Sequence, residues 1–529
     1  MLKFRVLDDG RPARSWPGRH AHLVGSDGNA IRSDISFSDG LVRCTNREPG
    51  TAAAVLQTDT GDCGKLILQT CLLPDREEPY LLNLELARHR LMILYNKLED
   101  WGMFELGPDH SVTKHADVSR RLFVEALSCQ GEDMARADKL AADSLVAALN
   151  ASEALAMAHA SLLLERRKNT GSLPKTPFGC GVSMDQAYER VRAGMIANFD
   201  FLQMPVRWRD LAPEEGEYRW ESLDNWAHWL ERHRIPVVAG PLVSFEPDAV
   251  PDWLFIWEHD YDNVRDLVYE YVEETVKRYR HVVSVWNVVS GLHVNDHFTF
   301  TFDQIMDLTR MTTLLVKELH PTAKVLVELR QPFGEYSSTN QRSIPPLTYA
   351  DLLIQGGVNL DCFGLKLQMG QPVAGQQTRD LMQISNLLDQ FAPLGKLLCV
   401  SIAAPSGSVK KASGSKTPST SAADSNSNSD GANHTGESGH WRKPWSERIQ
   451  SLWMESVIQI ALSKPFVESV SWHALLDRTG NDSPLSGLVA DDLQPKTAFR
   501  RLVALRRNLA AAEPDAVANA PSAAAPATD

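Results

Sequence analysis

Residues 281–292 have the sequence HVVSVWNVVSGL, an apolar run of strand length that contains one Trp and one Asn. The preceding segment, residues 262–280, has apolar residues at close to every 3.6 positions, as in an amphipathic helix. A continuous apolar run that follows a helix is typical of a buried strand in a parallel sheet. Its last residues, 287–291, would then emerge at the C-terminal end of the strand, where enzymes built from βα units place their catalytic residues.

Further segments of this kind follow each other at the spacing of βα units, with amphipathic helical stretches between them. The eight candidate strands lie at residues 178–184, 199–208, 236–245, 282–290, 324–330, 362–369, 396–404 and 468–476. Eight successive units predict a (β/α)8 TIM barrel, which we assign to residues 171–509.

Two regions of different character precede the barrel. Residues 1–95 contain short apolar segments separated by Asp, Gly, Asn and Pro, which predicts a small β-rich module. A structural cap is favoured over a glycan-binding module because no aromatic platform is evident. Residues 96–170 are rich in Ala, Leu and Glu and predict a helical spacer. We expect the spacer to pack against the barrel, and the alternative is that it binds a protein partner.

Two polar or biased segments interrupt this pattern. Residues 406–439 consist largely of Ser, Thr, Asn, Asp, Gly and Lys and follow the seventh candidate strand. A disordered insertion is favoured there, and a mobile lid over the barrel mouth is the alternative. The Ala- and Pro-rich tail, residues 510–529, is also expected to be disordered.

The net charge and the cysteine content limit the classes of ligand and of site that are expected. A formal net charge of -13 argues against nucleic-acid binding and is compatible with a neutral polysaccharide or oligosaccharide ligand. The N-terminal residues lack a signal peptide and no run of membrane-spanning length was identified, so a cytoplasmic location without a membrane is expected. Seven scattered cysteines without a CxxC pair favour free thiols. No metal-ligand spacing and no glycine-rich phosphate loop is evident, so neither a metal nor a cofactor is predicted.

The central strand also resembles a family motif. Residues Trp286–Gly291, WNVVSG, resemble the W-D-V-V-N-E of the fourth strand of glycoside hydrolase family 10, the xylanases. Fragments in the same order as in that family support the resemblance: residues 207–237, AVPDWLF at 249–255, DCFGLKLQ at 361–368 and PLSGLVADDLQPKTAFRRL at 484–502. The resemblance covers roughly residues 178–509 and implies a TIM barrel that acts on xylan or a related β-glycan.

The resemblance also implies which positions should act, and several carry other residues here. The family's general acid/base Glu corresponds to Gly291, and its nucleophile Glu corresponds to Ile402. Retaining hydrolysis needs both carboxyl groups, so the family's double displacement is not expected from these positions. The positions that remain suited to a sugar-binding cleft are Arg207, Trp208, Trp286, Asn287, Gln368 and Trp472.

Two functions remain open from the residues. The first is a glycan-binding or scaffolding pseudoenzyme of family 10 type. The second is an O-glycosyl hydrolase that acts through relocated carboxylates, for which Glu246 and Glu328 are the candidates because inverting hydrolysis tolerates a wider carboxyl separation. The alternative role for Glu328 is a structural ion pair with Arg330 or Arg207. Further acids near strand ends are Asp296, Glu335 and Asp477.

Overall fold

The structure is a computed structural model. It describes residues 1–16, 18–47, 50–183, 191, 194, 198–371, 373, 375–408, 438–477 and 484–510. Most of the predicted insertion, residues 409–437, and the predicted tail after residue 510 lie outside the described residues, so those two predictions stay predictions.

A closed barrel of eight parallel strands forms the centre of the molecule. Its strands, in the order in which they pair, are β11 (Phe178–Gly181), β12 (Phe201–Met204), β13 (Val237–Ala239), β14 (Val285–Ser290), β15 (Lys324–Leu329), β16 (Cys362–Gln368), β17 (Leu397–Ala403) and β19 (Val467–Trp472). Each described strand overlaps one of the eight predicted segments, and the predicted (β/α)8 fold is confirmed. The strands are continuous apolar runs, so both of their faces must be buried. One face is buried in the barrel interior and the other under the surrounding helices.

Helices connect the strands and cover the barrel. They are Trp208–Leu211, Glu221–His233, Tyr261–Tyr279, Phe302–Leu319, Pro346–Gln355, Leu381–Phe391, Glu447–Ser463 and Thr497–Ala510, with 3-10 turns at Asp252–Trp257, Glu335–Ser338 and Ala392–Leu394. Local sequence explains where several begin. Thr301 and Asp380, for example, each form a capping box with the Gln three residues later.

The described part of the β-rich N-terminal module contains a four-stranded, a five-stranded and a two-stranded sheet. Its strands are β1 (Leu2–Arg5), β2 (Leu7–Asp8), β3 (Arg11–Pro12), β4 (His22–Val24), β5 (Ala30–Ile31), β6 (Ser33–Ser38), β7 (Leu41–Asn46), β8 (Ala53–Asp59), β9 (Gly64–Gln69) and β10 (Tyr80–Leu81), with a 3-10 turn at Gly61–Cys63. One sheet has the order β10-β1-β7-β6, and β2 pairs with β3. The second has the order β18-β9-β8-β4-β5, in which β18 (His440–Trp441) comes from the chain after barrel strand β17.

Three helices join the module to the barrel: α1 (Leu82–Asp100), α2 (Ser111–Cys129) and α3 (Met134–Asn169). Helix α3 begins where Asp133 accepts a hydrogen bond from the backbone N–H of Arg136 at 3.0 Å. At its other end Arg167 donates to the backbone carbonyls of Leu462 (2.6 Å) and Lys464 (2.7 Å). The helical spacer is therefore packed against the barrel.

Buried ionic contacts reinforce this attachment. Arg90 of α1 donates to both carboxylate oxygens of Asp380, at 3.1 and 2.5 Å. The two side chains are 4% and 0% exposed. Glu153 of α3 is ion-paired with Arg442 and accepts a hydrogen bond from the indole of Trp441 at 2.7 Å. These pairs join helices α1 and α3 to segments that lie far away in the sequence.

Helix α3 is long and apolar enough to cross a membrane by length and composition, although no such run was expected from the sequence. Its most apolar window has a mean hydropathy of 1.2, and 61% of that window is buried inside the protein. A core helix of a soluble protein passes the same test. In this fold the helix packs between the module and the barrel.

Candidate functional site

A solvent-accessible cavity of about 130 Å³ opens at the C-terminal ends of the barrel strands. Its position agrees with the expectation that function lies at this end of a TIM barrel. The cavity is lined by both signs of charge. The ionisable residues that reach it are Arg207, Glu246, Asp248, Glu328, Lys366 and His473. Such a lining can both donate hydrogen bonds to a polar ligand and accept them from it.

The two candidate carboxylates line this same cavity. Glu246 lies in the loop after β13 and forms an ion pair with Arg330, with each side chain 16% exposed. Glu328 lies on β15 and accepts a hydrogen bond from the hydroxyl of Ser290 at 2.6 Å. The structure therefore brings Glu246 and Glu328 together at the barrel mouth, each held by a protein partner.

Gly291, the position that the sequence resemblance aligns with the family's acid/base Glu, has a distinctive backbone conformation. Gly291 directly follows β14 and has a φ of 69°, a conformation that favours glycine. A Cβ atom at this position would lie 2.7 Å from Cδ of Arg330 and 3.3 Å from its Nη1. The space beside Gly291 is thus filled by the guanidinium side chain that pairs with Glu246.

Ile402, the position that the sequence resemblance aligns with the family's nucleophile, is buried in the structure. Ile402 on β17 is 0% exposed and belongs to the main hydrophobic core. Its neighbour Ser401 lines the cavity instead. Because side chains alternate along a strand, Ile402 faces the helical layer while Ser401 faces the mouth.

The three tryptophans that were candidates for a sugar-stacking floor are buried. Trp208 is 5% exposed and stacks on Tyr271 with ring centroids 4.6 Å apart. Trp286 is 0% exposed and donates its indole N–H to His320 at 3.2 Å, and Trp472 is 2% exposed. None of the three is among the residues that line the described cavity. Their ring faces serve packing, and they offer no open platform to a sugar.

The polar candidates divide between the cavity and its surroundings. Arg207 and Asn287 line the cavity, and the side-chain carbonyl oxygen of Asn287 is buried without a partner among the described residues. Gln368 is 7% exposed and accepts a hydrogen bond from Gln376 at 2.9 Å, away from the lining. Arg207 and Asn287 are thus placed to contact a ligand directly, whereas Gln368 supports the loop after β16.

The remaining acids near strand ends are paired elsewhere. Asp296 lies 3.5 Å from His297, Glu335 is ion-paired with Arg379, and Asp477 is ion-paired with Lys496. Burial raises the pKa of Asp477. None of these three acids lines the mouth cavity as the structure describes it.

Polar cavity residues that the sequence did not single out as candidates include Asp248, Lys366, Ser401 and His473. Lys366 lies two positions before Gln368 on β16, so the period of 2 in strands could have identified it as facing the barrel interior. To identify Ser401, one would have to know that its side chain, and not that of Ile402, faces the barrel interior. His473 directly follows β19, and nothing in its spacing suggested a binding role.

Comparison with known proteins places this geometry in context. The family model described as Glycosyl hydrolase family 10 matches residues 178–403. No curated protein sequence matches the chain.

Several solved structures of xylanases are similar to it. Native xylanase 10B from Thermotoga maritima has 14% sequence identity and a TM-score of 0.46, with 66% of this chain and 98% of that chain covered. Xylanase 10B from Thermotoga petrophila RKU-1, in complex with xylobiose, has 15% identity and a TM-score of 0.44, with 65% and 97% covered. A family 10 protein from Paenibacillus barcinonensis has 15% identity and a TM-score of 0.44, with 62% and 94% covered. The segment that matches the family model, residues 178–403, contains seven of the eight strands of the closed barrel, β11 to β17.

Proposed function

We propose that the barrel binds a glycan of the xylan or β-glycan class in its mouth cavity and does not cleave it by the family's retaining mechanism. The observation that carries this proposal is the environment of Gly291, where the side chain of Arg330 fills the space that an acid/base side chain would need. At the second position, Ile402 is buried in the core. A retaining glycosidase needs one carboxyl group to protonate the leaving oxygen and another to attack the anomeric carbon, and neither is supplied there.

The polar lining supports binding. Arg207 and Lys366 can donate hydrogen bonds to sugar hydroxyl and ring oxygens, and Glu328 can accept them from hydroxyl groups. The buried carbonyl oxygen of Asn287 lacks a partner among the described residues, and a buried acceptor of this kind is stabilised when a ligand donates to it. Because the tryptophans are covered, we expect hydrogen bonds rather than ring stacking to dominate the affinity.

An alternative is inverting hydrolysis by Glu246 and Glu328, and one observation favours it. Both carboxylates line a single cavity, which is what an acid and a base acting on one glycosidic bond require. Two contacts oppose it. Glu246 would have to leave its ion pair with Arg330 to protonate a leaving group, and Glu328 already accepts a hydrogen bond from Ser290.

The first experiment measures hydrolysis. Purified full-length protein is assayed for release of reducing sugar from xylans and β-glucans and for cleavage of aryl glycosides, together with Glu246→Gln and Glu328→Gln. Glu214→Gln is the matched control because its side chain is 68% exposed, next to Arg219 and away from the mouth lining. We expect no turnover by any of the four proteins. If the wild type and the control show turnover and one of the two mouth variants does not, catalysis has moved to that carboxylate. This result would refute the proposal that the protein is a pseudoenzyme.

The second experiment measures binding. Affinity electrophoresis in gels that contain each polysaccharide should retard the wild-type protein on at least one of them. Asn287→Ala and Lys366→Met should weaken that retardation, whereas Asn508→Ala, at an exposed helical position, should not. Unchanged mobility of the wild-type protein on every polysaccharide would contradict the proposed binding function.

A further inference from the structure

A cluster of metal-ligating side chains lies at the opposite end of the barrel from the mouth. Cys362 is the first residue of β16, Cys399 lies near the start of β17 and Glu468 lies near the start of β19. The two sulfur atoms and a carboxylate oxygen of Glu468 all lie within 4.8 Å of one another. Two thiols and a carboxylate on three strands therefore converge at the N-terminal end of the barrel.

An irregularity in strand pairing places the carboxylate there. Between β17 and β19, Leu398 pairs with Val467 and Cys399 pairs with Ser469, so Glu468 is an extra residue in a β-bulge. Its carboxylate forms an ion pair with Lys324, the first residue of β15. Strands β16 and β17 separate β15 from β19 in the barrel, so this contact spans the end of the barrel interior.

We propose that Cys362, Cys399 and Glu468 bind one Zn²⁺ ion that ties strands β16, β17 and β19 together. Zinc is bound by thiolate and carboxylate ligands, usually in tetrahedral geometry. Ligands on such an ion lie roughly 3.5–4 Å apart, given Zn–S near 2.3 Å and Zn–O near 2.1 Å. Ligand atoms that are already within 4.8 Å of one another need only small side-chain rotations to reach that spacing.

The charges of the cluster suit a divalent ion. Two thiolates and one carboxylate carry three negative charges, and Zn²⁺ together with the ammonium of Lys324 neutralises them. Lys324 and Glu468 are 49% and 31% exposed, which leaves the cluster accessible from solvent.

The strand register favours a metal over a disulfide. Cys362 pairs with Leu397, and Gly364 pairs with Cys399, so the two cysteines are offset by two residues on neighbouring strands. Diagonal neighbours of this kind have α carbons roughly 7–8 Å apart. A disulfide usually requires less than about 6.8 Å, so the strands would have to shift to form one.

The site would contribute to stability rather than to sugar chemistry, because the N-terminal end of a TIM barrel is remote from the functional face. It is independent of the proposed glycan binding. Sequence spacing did not predict a metal, since the three ligands come from different strands and only the barrel brings them together.

The test uses the full-length protein in the presence of a non-thiol reductant. Chelator-treated protein is incubated with Zn²⁺, freed of excess metal and analysed by elemental mass spectrometry, together with Cys362→Ser, Cys399→Ser and Glu468→Gln. Cys129→Ser, at a partly buried cysteine of α2, is the matched control. We expect one Zn²⁺ per chain in the wild type and the control, and substantially less than one in each cluster variant. Equal zinc content in the cluster variants and the wild type would overturn the proposal.

Spectroscopy on the wild-type protein covers the case in which a variant fails to fold. Co²⁺ in place of Zn²⁺ should give a thiolate-to-metal charge-transfer band and the intense visible bands of a tetrahedral site, and added Zn²⁺ should remove both. Zinc should also raise the Tm of the chelator-treated protein. Absence of the charge-transfer band, or a loss of two hydrogens in the intact mass after mild oxidation without metal binding, would overturn the proposal in favour of free or redox-paired thiols.

Discussion

Replacement of Gly291 by Ala tests whether the position that the resemblance aligns with the family's acid/base Glu has room for a side chain. A residue other than glycine at φ 69° costs about 1–2 kcal/mol. The added Cβ lies 2.7 Å from Cδ of Arg330 and must displace a side chain that is ion-paired with Glu246. Overpacking of this kind costs about 1–3 kcal/mol. The expected total loss of unfolding free energy is therefore about 2–5 kcal/mol.

Gly216 provides a matched control for the backbone contribution. Its φ is 76°, and a Cβ built there has no neighbouring atom within 4 Å. Gly216→Ala should thus cost only the backbone strain, about 1–2 kcal/mol. Urea unfolding of both variants and the wild type, followed by tryptophan fluorescence, gives the difference. If Gly291→Ala is no more destabilising than Gly216→Ala, then Arg330 does not occupy the position as described.

A second variant, Gly291→Glu, introduces the carboxyl group that the family has at the aligned position. Gly291→Glu should fail to produce xylan hydrolysis, because its side chain would compete with Arg330 for space and because Ile402 supplies no nucleophile. The measurement is release of reducing sugar by the variant after its fold has been verified by circular dichroism. A Gly291→Glu protein that is as stable as the wild type and hydrolyses xylan would refute the proposal that this position cannot hold an acid/base side chain.

Two further predictions concern stability. Arg90→Met leaves the Asp380 carboxylate buried without its bidentate partner and should lower the free energy of unfolding by about 3–5 kcal/mol. Addition of Asp380→Asn should recover part of this loss. A double variant as unstable as the sum of the two single variants would contradict this prediction. Burial lowers the pKa of His22, His89 and His293 to about 4, so the unfolded chain binds protons that the folded chain does not between about pH 6.5 and 4. Stability should fall across that window as the pH decreases, by up to roughly 3 kcal/mol for each fully buried histidine, and a Tm that is constant from pH 7 to 5 would contradict this.

The barrel could be predicted because its strands carry their own signal. Buried parallel strands are covered on both faces and read as continuous apolar runs, as in residues 285–290 and 397–403. The helices between them follow from the 3.6 period and from caps such as Asp380. These signals are local in the sequence, so the fold follows without knowledge of long-range contacts.

The candidate site was less predictable because it depends on strand phase. A shift of one residue moves a side chain from the interior to the helical layer, which separates Ser401 from Ile402. An apolar run gives no indication of its phase, so the tryptophans Trp286 and Trp472 could equally have faced the mouth. The ion pair between Glu246 and Arg330 and the bulge at Glu468 depend on contacts between distant parts of the chain, and a single sequence carries no signal for such contacts.

The strand His440–Trp441 determines which part of the chain can be expected to fold separately. It completes the edge of a sheet whose other strands all lie within the first 69 residues, by pairing with Gly64 and Lys65. During synthesis the edge of β9 at Gly64 and Lys65 therefore stays unpaired until residue 441 has left the ribosome, and an open edge invites pairing with other chains. A fragment that ends before residue 440 would carry that exposed edge, and a fragment that starts at the barrel would leave Trp441 without Glu153. Dissection of the chain at its apparent boundaries would thus separate parts that form a common sheet, and the full-length chain is the appropriate unit for expression.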